Sequence, residues 1–473
     1  MKNLLFFSVL ALILASGCRE SPSKEAGASP NIAPITEATS ENAIMYEANI
    51  RQYSPEGTFN AFTKDIPTLK KLGVRFIWVM PINPISNIKR KAKGDLFTSD
   101  IEDPQEREKY LGSYYAVSDY KAINPEFGNL EDFKKLVQTA HEHGIYVIVD
   151  WVPNHTGWDH PWIFIHPDYY TQNEQGDIID PSNPDTGESF GWTDTADLNY
   201  DNPKMRTAML DALGYWIKEA NIDGYRMDVA HQVPQDFFEN ATASLQQIKP
   251  IFMLAEAEQA SLMEKAFDMH YAWELHHLMN DLSMGQKSLT DLDAYLTKID
   301  TVLAADDINM NFITNHDENS WAGTLEERMP GRKDIFTALT YTIPGMPLIY
   351  SGQEYDLNHR LKFFEKDSIP KTTGAYFELL TKLGALKNTH PALHGGKSAA
   401  AYKRLKTDNP NIFSFKRGKD GRELCFIGNF SNEPQQVQVG YGKLYTDYMA
   451  QQPIVLDNNT IALEAWEFKI ITE

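Results

Sequence analysis

IDGYRMD (Ile222–Asp228), IFMLAE (Ile251–Glu256) and NFITNHD (Asn311–Asp317) each carry an apolar, strand-like run into a carboxylate. A charge at the end of a buried strand is costly unless it is paired or used. Three such acids on successive elements read as strand ends converging on one pocket. Carboxylates held close together push their pKa values apart, so that one keeps a proton while its neighbour is ionised.

Around these three stretches a strand–helix alternation extends in both directions. IMYEANI (44–50), VRFIWVMP (74–81) and IYVIVD (145–150) read as the first three strands. DGYRMD, IFMLAE, AFDMH (266–270), NFITN (311–315) and MPLIYSG (346–352) complete a set of eight. Helical patterns lie between them: FNAFTKDIPTLKKLG (59–73), LEDFKKLVQTAHEHG (130–144) and PKMRTAMLDALGYWIKEANI (203–222), with GAYFELLTKLGALKNTH (374–390) closing the series. Eight β/α units predict an α/β fold, a (β/α)8 TIM barrel, over residues 43–150 and 201–390, with chemistry at the C-terminal ends of its strands. The polar, Trp-rich stretch 151–200 is too long for a loop and predicts a small inserted domain after strand three. From 391 to 473 the pieces NIFSFKR, ELCFIGNF, QQVQVG and TIALEAWEFKII predict a C-terminal all-β sandwich domain.

The chain has 473 residues and a net charge of −21, with 65 acids against 44 bases. That balance disfavours nucleic acid or an anionic lipid surface as partner and is neutral toward an uncharged substrate such as a sugar. Residues 1–17, MKNLLFFSVLALILASG, have a basic start, a short apolar run and small residues at the end, which predicts a signal peptide. The apolar run is well short of the roughly 20 residues that a membrane span needs. LASGC (14–18) resembles a bacterial lipobox, with Ala15 where Leu is usual, and makes Cys18 the expected lipidation site. The alternative is plain secretion with cleavage near Ala15–Gly17. Residues 18–42, rich in Ser, Pro, Ala and Glu, predict a flexible tether. An exported bacterial lipoprotein, anchored in the outer membrane, is the expected location. Cys425, in ELCFIGNF, reads as a buried thiol. Oligomeric state is open.

Six motifs, in register, make the chain from about Ile44 onward resemble the α-amylase superfamily of glycoside hydrolases: LGSYYAVSDY (111–120), DWVPNH (150–155), GYRMDVAHQ (224–232), MLAEAE (253–258), FITNHD (312–317) and GMPLIYSGQE (345–354). The resemblance implies that Asp228 is the nucleophile, Glu256 the general acid and then base, and Asp317 the group that grips the sugar. Arg226, two residues before Asp228, faces the same side of its strand and is expected to keep Asp228 ionised. It could also pair with Asp150. By the same resemblance His155, His316 and Tyr115 contact the sugar at the cleavage site, and His231 the next one. Trp151, Trp158, Trp162 and Trp192 are candidates to line the cleft, with core packing at least as apt for each. Asn154 and Asp197 match positions that bind a structural Ca2+, although two side chains are not a site, since Ca2+ takes six to eight oxygens.

The implied activity is retaining, endo-acting hydrolysis of α-1,4-glucosidic bonds in starch, maltodextrin or related α-glucans through a covalent glycosyl-enzyme. An exo-acting α-glucosidase, a maltogenic or cyclodextrin-degrading hydrolase and a transglycosylase remain the alternatives. A non-catalytic glycan-binding lipoprotein is a remote one, because all four of Arg226, Asp228, Glu256 and Asp317 are present.

Overall fold

The computed structural model describes residues 32–183, 185–438, 446–454 and 460–472. The leader, Cys18 and the tether up to residue 31 lie outside the described residues. The eight barrel strands are β1 (Met45–Ala48), β2 (Phe76–Val79), β3 (Tyr146–Trp151), β4 (Gly224–Met227), β5 (Phe252–Ala255), β6 (Met269–Tyr271), β7 (Ile308–Asn311) and β8 (Met346–Tyr350). All pair in parallel and in sequence order, and β1 closes on β8.

Alternation along each strand builds two layers. Met45, Phe76, Trp78, Ile148, Phe252, Leu254, Met269, Met310 and Leu348 fill the interior as one cluster. Their neighbours Tyr46, Ile77, Val79, Val147, Val149, Met253 and Ile349 face the surrounding helices in a second cluster. A period of two in a strand buried on both sides gives this division. Toward the C-terminal end the side chains sharing the inward face turn polar, with Glu47, Asp150 and Arg226 buried there.

Three expectations are corrected. Strand seven runs over Ile308–Asn311 and ends where NFITN begins, so Asp317 stands on a loop well past it. The helix expected over 59–73 is two short ones, Phe59–Thr63 and Ile66–Lys71; Pro67 has no N–H to continue the first ladder. The tether does not extend to residue 42 as a free segment. Ile32 and Ile35 pack on the barrel-interior cluster, Tyr146 donates to the Ala33 carbonyl at 2.9 Å, and Thr36 caps a helix over Glu37–Glu41. Two isoleucines among Ser, Pro and Thr are too sparse to show a period.

The segment after β3 forms a small body around an antiparallel pair, His155–Gly157 with Thr195–Asp197. The C-terminal region has a six-stranded antiparallel sheet and a two-stranded one, Gln435–Gln438 with Thr460–Leu463. Ile412, Cys425, Ile427, Val437, Ile461, Leu463 and Ile471 cluster between them. Arg417, fully buried, ties this domain to the barrel through the carbonyls of Thr342 and Ile343.

β4 owes its close fit to Gly224. Its φ is +146°, and a Cβ there would stand 1.8 Å from the Phe252 carbonyl oxygen of β5. Gly224→Ala is expected to cost about 3 kcal/mol or more, read as a lowered denaturation midpoint.

Candidate active site

The ends of β1, β3, β4 and β5 and the loops after β2 and β7 deliver one connected set of polar side chains. Arg226, with no exposed surface, is its hub. Its Nη1 lies 2.8 Å from both Asp150 Oδ1 and Asp228 Oδ1, and its Nη2 is 2.8 Å from Glu256 Oε1. Nε donates to the Tyr271 hydroxyl at 3.2 Å. The guanidinium also lies over the Trp78 ring, 5.0 Å from its centroid.

Asp150 passes the connection onward. Its Oδ2 accepts from Trp78 Nε1 at 3.0 Å and from the Tyr115 hydroxyl at 3.2 Å. Tyr115 Oη is 2.7 Å from His316 Nε2, and His316 Nδ1 is 2.6 Å from Glu47 Oε1. Asp317 Oδ2 lies 3.3 Å from His316 Nε2. Burial opposes a charge on His316, but Asp317 and Glu47 outweigh it and lift its pKa to about 9. The imidazolium therefore donates on both sides, and Tyr115 is left to donate to Asp150.

Glu256 is held by a strained turn. Val229, directly after Asp228, has φ +46°, a left-handed conformation that a β-branched residue rarely adopts. The turn aims its N–H at Glu256 Oε2, 2.6 Å away. One Glu256 oxygen thus faces the guanidinium and the other a backbone donor. Burial and the Glu256 charge raise the Asp228 pKa well above the usual carboxylate range, with Arg226 pulling the other way. Arg226 therefore restrains this rise without cancelling it. Asp150 is lifted by burial to about 6 against the same guanidinium. Asp317 is raised as well, by burial first and then Glu256, with His316 opposing.

These groups floor a cleft of about 440 Å³. Tyr115, His155, Asp228, Glu256, His316 and Asp317 all line it, so most of the expected site residues come together. His155 is buried, its pKa lowered by burial to about 3, and its Nδ1 lies 3.2 Å from Asn154 Nδ2. Arg226 sits behind the acids. His231 departs from expectation: it is exposed, on the turn Ala230–Gln232, and is not among the cleft's lining residues. Of the four tryptophans only Trp192 reaches the cleft. Trp151 is buried against Tyr120, Trp158 donates to the Thr193 carbonyl, and Trp162 packs on Tyr169.

Sequence reasoning missed Glu47 and the wall formed by Trp321, Phe363 and Phe364. Trp321 is 56% exposed yet packs on both phenylalanines, with ring centroids 5.1 and 5.9 Å away. Its position in ENSW, four residues past Asp317, and the FF pair were the available signals.

Asn154 and Asp197 lie side by side, since Leu198 N–H donates to the Asn154 carbonyl and Asp197 pairs with His155 across the small hairpin. Burial lifts Asp197 to about 6, a Thr171 hydrogen bond counteracts, and the Asp180 charge adds to the rise. A half-buried carboxyl that feels the charge of a second acid suits a hard cation. Among the described residues, however, no three His, Cys, Asp or Glu side chains form a metal-ligand cluster, so other ligands would be backbone or amide oxygens.

Residues 34–375 match the family model described as alpha amylase, catalytic domain. "Alpha-amylase 3" of Dictyoglomus thermophilum is 27% identical over 354 residues, 66% of this chain and 64% of the relative. A cyclomaltodextrin glucanotransferase of Geobacillus stearothermophilus is 28% identical over 83% of this chain and 57% of its own. The chain thus spans less than two thirds of these relatives' length. Among solved structures, an alpha-amylase from Lactobacillus plantarum superposes with a TM-score of 0.80 at 26% identity, covering 93% of this chain and all of the other. A maltogenic alpha-amylase from Thermotoga neapolitana gives 0.78 at 26%, covering 92% and 99%.

The raised pKa of His316 has a defined consequence. Its charge contributes stability that is fully present below the unfolded value near 6.5 and is lost as pH rises through about 9. The stability difference between the native chain and His316→Gln should be on the order of 3 kcal/mol larger at pH 6 than at pH 10, measured by denaturant unfolding.

Proposed function

The chain belongs to the α-amylase family of glycoside hydrolases, and from this premise we propose that it is a retaining, endo-acting hydrolase of α-1,4-glucosidic bonds in starch, maltodextrin or related α-glucans. One arrangement carries the reading. Asp228 and Glu256, from neighbouring strands, meet on one guanidinium at the floor of a cleft with aromatic side chains on opposite sides. Trp192 follows β3 and Trp321 follows β7, and these strands are four places apart in a ring of eight. Flat apolar rings on both flanks can hold sugars on either side of the bond being cut.

Asp228 attacks the anomeric carbon as the glycosidic bond breaks. Glu256 gives a proton to the departing oxygen, which leaves a glycosyl ester on Asp228. Water then yields a proton to Glu256 and attacks the same carbon, freeing Asp228 and a sugar of retained configuration. Asp317 holds the hydroxyls of the distorted ring, with Tyr115, His155 and His316 around it. His155, neutral through burial, can hydrogen-bond a hydroxyl without adding charge.

Exo action and transglycosylation are the competing outcomes, since relatives of similar identity include both an amylase and a glucanotransferase. Cys18 lipidation, outer-membrane anchoring and a structural Ca2+ held by Asn154 and Asp197 complete the proposal. Loss of fatty-acid labelling in Cys18→Ser tests the anchor. A melting temperature lowered by chelation and restored by Ca2+ tests the metal; no change on chelation counts against it.

Glu256→Gln should lower hydrolysis at least ~10²-fold, by loss of the proton donor. An unchanged rate refutes its role. The native chain should also cut maltooligosaccharides blocked at both ends. Cleavage confined to free-ended substrates overturns the endo reading.

A further inference from the structure

Gln52 is a polar side chain with no exposed surface, on the short helix Ile50–Tyr53 that follows β1. A buried amide needs partners for its two donor hydrogens and its acceptor oxygen. Gln52 finds all of them on one stretch of backbone, the loop after β8. Its Nε2 donates to the carbonyls of Lys362 at 2.6 Å and Glu365 at 2.7 Å, and its Oε1 accepts from the Asp367 N–H at 2.5 Å. Its own carbonyl accepts from the Ile369 N–H at 3.0 Å. The neighbouring Arg51, also buried, donates from Nη1 to the carbonyls of Phe363 at 3.3 Å and Gly112 at 3.0 Å. Irregular backbone is thus paired, group by group, with two side chains standing on the barrel.

The charged side chains of this loop are engaged close by. Lys362 pairs with Glu365 at 2.8 Å, Asp367 with His359 at 2.6 Å, and Lys366 donates to the Ser54 carbonyl at 2.7 Å. What the loop contributes to the catalytic cleft is Phe363 and Phe364. The charged residues Lys91 and Asp194, which line the same cleft, come from the loop after β2 and from the inserted domain. Phe363 lies beside Tyr115, with ring centroids 6.5 Å apart and planes only 15° apart. The Leu111 N–H donates to the Phe364 carbonyl at 2.6 Å, which fastens the loop to the stretch that carries Tyr115.

We propose that Gln52 is a positioning residue for substrate binding: by fixing the loop after β8 it holds Phe363 as an apolar platform for the glucosyl unit next to the one at Tyr115. Sugar rings present C–H groups on their faces, and a flat aromatic ring complements them. A platform is effective when its orientation is set before the ligand arrives, since a ring free to move loses that freedom on binding. The three hydrogen bonds of the Gln52 amide supply this order from a side chain that never meets the sugar. The assignment rests on the α-glucan reading of the cleft and holds for endo or exo action alike.

The test measures kcat and KM of the full chain on maltoheptaose. Phe363→Ala should raise KM about tenfold, the worth of one stacking contact, with kcat changed less than about threefold. Phe363→Tyr, which keeps the ring, should restore the native KM. Gln52→Met, of similar length and without the amide, should raise KM about three- to tenfold. If that variant does not fold, Gln52→Asn, which keeps the amide and shortens its reach, carries the same expectation. The double variant with Phe363→Ala should have a KM no higher than Phe363→Ala alone, because both changes remove one platform. Additive rises in KM, an unchanged KM in Phe363→Ala, or a Gln52 variant that loses thermal stability while keeping its KM overturns the proposal. A native chain that cleaves no α-glucan overturns the functional reading along with it.

Discussion

The site depends on a single buried cation. Arg226 has no contact with solvent and serves Asp150, Asp228 and Glu256 at once. A guanidinium can do this because its donors form a rigid planar fork, whereas an ammonium would offer a point charge to one partner at a time. Burying it without carboxylates would be prohibitive, and burying the three carboxylates without it would neutralise them. Each half of the cluster accounts for the other. The barrel supplies the geometry: β3, β4 and β5 are neighbours, so their ends lie within reach of one side chain.

The excess of negative charge around that cation is the useful part. Asp228 and Asp150 are both pushed upward by burial and by neighbouring carboxylates, with Arg226 opposing the rise. A second chain of contacts, from Asp150 through Tyr115 and His316 to Glu47, links the floor of the cleft to β1 and ends at Asp317 beside His316. All three acids are thereby oriented through one hydrogen-bonded network. The left-handed Val229 adds a fixed donor to Glu256 at the expense of backbone strain, which is where strain is expected to persist.

Much of this was legible in the sequence, for identifiable reasons. Eight apolar runs of strand length alternating with helical periods predict a barrel, and acids that end such runs mark its catalytic face. Asp228 and Glu256 follow their strands directly and were placed well. Asp317 lies beyond β7 on a loop whose apolar start, FIT, imitates a strand. Glu47 was invisible because one acid inside IMYEANI has no partner until β1 meets the His316 loop. Trp321, Phe363 and Phe364 form their wall across 42 residues of chain, a proximity that no local pattern encodes. His231, three residues past Asp228, stands exposed on the turn Ala230–Gln232 rather than on the cleft floor.

The central claim is that Asp228 attacks while Glu256 manages the proton, both under Arg226. Its most direct test is to trap the intermediate with a slow, activated fluoro-sugar substrate and locate the label by peptide mass spectrometry. The account predicts one glucosyl unit esterified to Asp228 and a hydrolysis product of retained α configuration. A label on Glu256, or release of an inverted β product with no adduct, would contradict it.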